Sequence, residues 1–266
     1  MNIFSFFAGA GFLDLGFELQ GHYNIVFVNE FHEAFNHIYR YARQYMGIAA
    51  PRYGHHVEDI TEYIDGQHSD RLQRLLEWVE ESKAEDLTGF IGGPPCPDFS
   101  VAGKNRGRDG ENGKLSGTYA QLICTALPDF FLFENVKGLY RTARHRAFFE
   151  ELKLKFRKSG YSLTEQLVNS LEFGAPQDRD RIILIGFRQD IAERLNINTE
   201  NGSLIGFPWD KYKIYKLDEI KGIKWPDKSP YNEGVETDIP KGIVEDLTVE
   251  HWWRINDVAH HPNEDM

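Results

Sequence analysis

Residues 2–20 read NIFSFFAGAGFLDLGFELQ, and the fold turns on them. Asn2–Phe7 is a short apolar run that ends in Gly-Ala-Gly, and Phe12–Gln20 follows with helical spacing. The pattern is strand, tight turn, helix. Glycines in such a turn let the backbone approach a ligand closely. The turn is not the dinucleotide fingerprint, because Asp14 stands where a third glycine is needed. It also lacks a P-loop lysine.

Working outward, Asn24–Asn29 reads as a second buried strand, closed by Glu30. Phe31, Phe35, Ile38 and Tyr39 then recur at helical spacing, as do Leu72, Leu75, Leu76 and Val79. Leu87–Gly92, Phe130–Phe133 and Arg181–Phe187 are further strand-like runs, and Asp59-Ile60 sits where another strand would end. Strands alternating with helices predict a doubly wound α/β domain, with a mostly parallel sheet covered on both faces. Residues 100–118 hold five glycines and read as a long mobile loop. Past about Arg188 the periodicity dissolves among Pro208, Pro226, Pro230 and Pro240. The expected division is a catalytic and cofactor-binding domain over 1–190, then a target-recognition or partner-docking region over 191–266.

The 266 residues carry a net charge of −11. Residues 1–100, 101–200 and 201–266 hold net charges of −9, +3 and −5. A polyanion would therefore meet the middle third, and the acidic ends would limit non-specific binding. With 41% hydrophobic and 27% charged residues the chain is an ordinary globular sequence, which excludes disordered and fibrous classes. No stretch reaches the ~20 apolar residues of a membrane helix, and the start does not read as a signal peptide. The two cysteines, Cys96 and Cys124, exclude a disulfide framework and a four-thiolate zinc site, and no metal is expected. A reducing cytoplasm is the expected compartment.

Four constellations carry chemistry. The first is the glycine turn with the strand-end acids Glu30 and Asp59, which suit a nucleoside ligand without a pyrophosphate. An ordinary βα turn is the plainer account of it. The second is Gly92-Gly93-Pro94-Pro95-Cys96-Pro97-Asp98-Phe99-Ser100. A cysteine between prolines, just past a buried strand, has the fixity a nucleophile needs. A lone buried cysteine is more often structural, and that reading is kept for Cys124 among Leu122 and Leu127. The third is Glu134-Asn135-Val136, an acid at the end of an apolar strand that can hold a proton near neutrality, or else a helix cap. The fourth is Gln177-Asp178-Arg179-Asp180-Arg181, whose alternating guanidinium groups suit a phosphate or a carbonyl oxygen. A salt-bridge ladder with Asp178 and Asp180 is the alternative.

In this order the four resemble the motifs of the cytosine-5 DNA methyltransferase family over residues 1 to about 190. The resemblance implies the class I S-adenosylmethionine-dependent methyltransferase fold and S-adenosylmethionine as cofactor. It implies catalytic roles for Cys96, Glu134, Arg179 and Arg181. Cys96 would add to C6 of a flipped cytosine in double-stranded DNA, Glu134 would act at N3, and the arginines would hold the base and nearby backbone. It assigns the cofactor to Phe7, Gly9, Gly11, Glu30, Phe31, Asp59, Ile60, Pro95 and Leu115. Phe7 would stack on adenine, Glu30 bind ribose and Asp59 the adenine amine. The loop that begins at Ser100 and carries Lys104, Arg106 and Arg108 would close on the DNA. The expected role is host protection in a restriction–modification system.

Two departures matter. Pro97-Asp98 follows the cysteine where many DNA-acting members carry glutamine and a neutral residue. The family's final Gly-Asn motif, which completes the cofactor pocket, is not found. The expectation is the larger piece of a two-chain enzyme, or a truncated product. Trp252, Trp253 and Val258 then read equally as an interface to a second polypeptide or as packing within the chain. A tRNA cytosine-5 methyltransferase and a non-catalytic binding module of the same fold are the competing readings.

Overall fold

The computed structural model describes residues 1–95, 111–140, 143–175 and 177–221. The opening run forms β1 (Asn2–Phe6), a glycine turn and α1 (Phe12–Glu18). There follow β2 (Asn24–Asn29), α2 (Glu33–Tyr45), β3 (His55–His56), α3 (Ser69–Glu85) and β4 (Thr88–Gly92). Next come α4 (Glu111–Ala126), β5 (Phe130–Val136), α5 (Ala143–Lys158), β6 (Tyr161–Asn169) and β7 (Asp180–Arg188). The rest is α6 (Gln189–Arg194), β8 (Thr199–Glu200), β9 (Ser203–Leu204) and α7 (Leu217–Lys221).

The strands form one sheet in the order β3-β2-β1-β4-β5-β7-β6-β9-β8. β1 pairs in parallel with β2 on one side and β4 on the other, and β2–β3 and β4–β5 are also parallel. Among the described pairings, only the short β8–β9 pair is antiparallel. This is the mostly parallel doubly wound α/β architecture the sequence predicts. The winding reverses between β1 and β4. Such a reversal opens a crevice at the carboxyl ends of the strands, where ligands bind in folds of this kind.

Both faces of the sheet are covered, so β1 and β4 are buried along their whole length. Phe4 and Phe6 of β1 join Phe27 and Phe90 in the core cluster that includes α3 and α4 residues. Their ring centroids lie 4.8–5.5 Å apart. Ile3 belongs to the other cluster, with Val28, Ile91 and Tyr39 of α2.

Several expectations need correction. The α2 period is right, but of its expected stripe only Tyr39 is buried: Phe31, Phe35 and Ile38 are exposed, and Asn36 and Arg43 are buried instead. Hydrophobicity chose the wrong stripe because the buried polar groups are mostly paired inside. The expected loop over 100–118 is helical from Glu111 onward, and its earlier part lies outside the described residues. Asp59 does not end a strand; it caps a 3-10 turn over Ile60–Tyr63. Glu134 lies within β5 rather than past its end. Cys124 is half-buried in α4 and burial pushes its thiol pKa up, which fits its structural reading.

The chain separates into two compact units. One holds Met1–Gln166 and Ile182–Phe207; the other holds Leu167–Arg181 and the described residues from Pro208 on.

Candidate active site

A cavity of about 620 Å³ opens at the carboxyl ends of β1, β2 and β4, the switch point of the sheet. Its volume falls within the range of small-molecule sites. Phe7, Gly9, Glu30, Phe31, Asp59, Ile60, Pro95 and Leu115 line it, which is every expected cofactor residue except Gly11. Asn29, His32, Phe35, Glu58 and Gly93 complete the lining. Another hollow, about 520 Å³, lies by Asn2 and Asn24 at the amino ends of the strands and carries none of the motif residues.

Backbone strain marks the first turn. Phe7 has a φ of 54° and Gly9 of 56°, both left-handed. That conformation is rare for a phenylalanine and persists where the surroundings enforce it. The Phe7 ring stands edge-on to Tyr119, at 5.8 Å between centroids. Glu30 closes the turn from the β2 side: Oε2 accepts from the Gly9 amide and Oε1 from the His32 amide, both at 2.8 Å. Each carboxylate oxygen has two acceptor sites, so the group can still take ribose hydroxyls. Asp59 Oδ1 accepts from the Thr61 amide and hydroxyl at 2.9 and 2.8 Å. Asn29 Nδ2 donates to the Glu58 carbonyl at 3.0 Å and so ties the Asp59 segment to β2. The sequence reading passed over Asn29, although a polar residue closing an apolar strand was a usable signal.

Three carboxylates, several aromatic rings and the apolar Ile60, Pro95 and Leu115 suit an adenosine-like group with hydroxyls and an amine to bind. The donor set therefore fits S-adenosylmethionine. Gly11 stands apart from the cavity. A Cβ there would meet the Tyr39 ring at 2.5 Å and Arg43 at 2.6 Å, so close packing explains that glycine.

The second turn, after β4, leads to the expected nucleophile. Cys96 and the expected DNA contacts Ser100, Lys104, Arg106 and Arg108 lie outside the described residues. The approach to them is described. A Cβ on Gly93 would lie 2.8 Å from Glu134 Oε2, so the carboxylate packs against this backbone, three residues before Cys96. Asn135 Nδ2 donates to the Pro94 carbonyl at 3.4 Å. Its Oδ1 accepts from the Val136 amide at 2.8 Å. The Glu-Asn-Val end of β5 thus braces the Gly-Pro-Pro turn.

The arginine motif belongs to the second unit. Asn169 forms a capping box with Glu172, and its Nδ2 donates to Asp178 and Asp180 at 2.6 and 2.9 Å. Arg181 donates to the Asp180 carbonyl at 2.7 Å. Arg179 is exposed and lies just before β7, so the two arginines do not alternate along one strand as expected.

The sheet order and the carboxylate-rimmed cavity at its switch point define a class I methyltransferase fold. The C-5 cytosine-specific DNA methylase family matches residues 1–241, and the chain belongs to that family. Membership implies S-adenosylmethionine as the cofactor. The chain is 48% identical to the type II methyltransferase M.NmeDI of Neisseria meningitidis serogroup C, over 98% of its own length and 58% of that protein. It is 34% identical to the type II methyltransferase M.NgoPII of Neisseria gonorrhoeae, over 83% of its length and 56% of that protein. A prophage-encoded DNA modification methyltransferase of E. coli shares the fold, with a TM-score of 0.52, 23% identity, and coverage of 76% of this chain and 49% of that one. The chain thus spans a little over half the length of these two curated relatives. Among the described residues no helix is long and apolar enough to cross a membrane.

Proposed function

We propose that this chain carries the cofactor-binding and catalytic part of a DNA (cytosine-5) methyltransferase of the type II restriction–modification kind. One observation carries the reading: eight of the nine expected cofactor residues line one switch-point cavity. Its rim at Gly93 also packs against the Glu134 carboxylate, three residues before Cys96. Residues 1–190 would carry the chemistry, and 191–266 would begin target recognition or partner docking.

Cytosine C5 is a poor nucleophile, and the proposed chemistry activates it. The target base leaves the duplex, since its C6 face is out of reach inside the stack. The Cys96 thiolate bonds to C6. Glu134 gives a proton or a hydrogen bond to N3, and so stabilises the charge that develops there. The electron pair displaced from the C5–C6 double bond makes C5 nucleophilic. When bound, S-adenosylmethionine supplies the methyl group that C5 takes. Loss of the C5 proton then restores the double bond as the Cys96–C6 bond breaks. Phe7, Glu30 and Asp59 would hold adenine, ribose and the adenine amine, and Gly11 would act from behind the cavity. Arg179 and Arg181 would hold the base carbonyl and nearby backbone. Ser100, Lys104, Arg106 and Arg108 would meet DNA phosphates. M.NmeDI extends well beyond the matched part, and a second polypeptide supplying that remainder is the proposed partner.

The test expresses the chain in a methylation-free host, alone and with the remaining portion of M.NmeDI, and sequences bisulfite-treated DNA and tRNA. 5-Methylcytosine in one fixed DNA context, together with a covalent adduct on 5-fluorocytosine DNA that Cys96→Ala abolishes, supports the reading. Signal confined to tRNA would overturn the DNA assignment. No adduct and no signal in either arm would make the fold a binding module.

A further inference from the structure

Beneath the glycine turn lies a buried polar cluster to which the chemistry above gives no part. Asp14 is fully buried and accepts from Ser5 Oγ at 2.7 Å and from the Tyr39 hydroxyl at 2.8 Å. Arg43, buried one turn further along α2, lies over the Tyr39 ring at 4.2 Å. Its Nε and Nη2 meet Glu18 at 3.0 and 2.8 Å, and Nη2 also donates to the Gly11 carbonyl at 2.6 Å.

Buried charges are costly even when paired, and apolar side chains of similar volume could fill such a site. The direction of the contacts shows what these charges hold. Gly11 is the left-handed residue that starts α1, at a φ of 85°. Its amide donates to the Ala8 carbonyl at 2.8 Å and closes the turn that presents Gly9 to the cavity. A charge-assisted bond is roughly twice as strong as a neutral one, and here it grips the one carbonyl shared by turn and helix. Glu30 holds the same turn from the cavity side through the Gly9 amide.

We propose that Arg43, backed by Tyr39 and Asp14, is a positioning residue for the cofactor turn. It fixes the Gly11 carbonyl, through it the Gly9 amide and Phe7, and so sets the affinity of the cavity for a nucleoside cofactor. The affinity claim rests on the reading of that cavity given above; the placement of the turn does not.

The experiment uses the whole chain and two readouts. Amide hydrogen exchange at Gly9 and Gly11 is measured without ligand, and S-adenosylhomocysteine binding by calorimetry. Arg43→Met is expected to speed exchange at both glycines about tenfold relative to amides of α3, and to weaken binding about tenfold. Arg43→Lys, which keeps the charge but loses the fork, should recover part of both. Exchange and affinity at wild-type values in Arg43→Met, with only the melting temperature lowered, would overturn the proposal. Should Arg43→Met fail to fold, Arg43→Lys and Tyr39→Phe carry the test, and unchanged exchange in both overturns it. A wild-type chain that takes up no S-adenosylhomocysteine refutes the cavity reading and the affinity claim with it. The exchange data then decide whether the turn is held from α2.

Discussion

Two glycine turns follow the two strands that flank the switch point, and they need glycine for different reasons. After β1, Gly9 and Gly11 adopt left-handed φ values of 56° and 85°. Their backbone goes where a side chain is strained. At the end of β4, neither Gly92 nor Gly93 has a positive φ. What they lack is room: a Cβ would lie 2.8 Å from Tyr119 at Gly92 and 2.8 Å from the Glu134 carboxylate at Gly93. The first turn is a conformational device for presenting amides. The second is a steric one, which brings an acid against the backbone that leads to the nucleophile. Gly11 belongs to both categories, since it is left-handed and also packed against Tyr39 and Arg43.

Alanine at each position would break or sharpen this contrast. Gly11→Ala should have the largest effect, because strain and overlap add: about 3 kcal/mol of stability, read by urea unfolding. A loss no larger than that of Gly9→Ala would mean the overlap relaxes freely. Gly93→Ala should leave stability nearly unchanged but displace Glu134. Methyl transfer in a single turnover should drop about 10²-fold, the scale for an ångström of misplacement. S-Adenosylhomocysteine affinity should fall much less. If stability fell and transfer did not, the steric account of the second turn would be wrong. Gly9→Ala meets nothing within 4 Å and should cost only the strain, about 1 kcal/mol.

The smallest effect concerns pH. Burial raises the Asp14 pKa from 3.8 to about 6, against the hydrogen bonds from Ser5 and Tyr39. Arg43 and Glu18 face it from α2 and α1, and Tyr119 from α4. A raised folded pKa gives stability that is present at low pH and lost as pH rises from about 4 to about 6. His55, edge-on to Tyr39, has the opposite sign. Burial and then Arg40 lower its pKa from 6.5 to about 4, so its contribution is lost as pH falls through that window. The two slopes oppose each other in the wild type. Asp14→Asn should leave His55 unopposed, and stability should then climb more steeply between pH 4 and 6. An unchanged slope would show that Asp14 does not titrate in that range.

The contrast between the turns also explains what was readable. The glycine turn, Glu30 and Asp59 were legible because a turn's glycines and the acids after an apolar run are local features, whereas Phe7, Phe31, Ile60, Pro95 and Leu115 were named only through the family resemblance. Arg43 and Asp14 gave no such signal. A charged residue in an amphipathic helix is expected on the wet face, and α2 inverts that rule by burying Asn36, Tyr39 and Arg43. β6 and α5 went unread altogether because their sequences mix charges with the apolar positions, and buried Lys153 is paired with Glu150 and Glu165.

The sequence by itself determined the doubly wound α/β class, the apolar runs that become β1, β2, β4, β5 and β7, and the motif residues that close them. Those depend on local apolar runs and on which residues a turn tolerates. Only the tertiary structure decided which face of α2 is buried, that Gly11 serves packing rather than the cavity, and that Gly93 makes room for Glu134. Each of these depends on atoms that are distant in the chain and meet once the sheet is wound, and no local pattern encodes that distance.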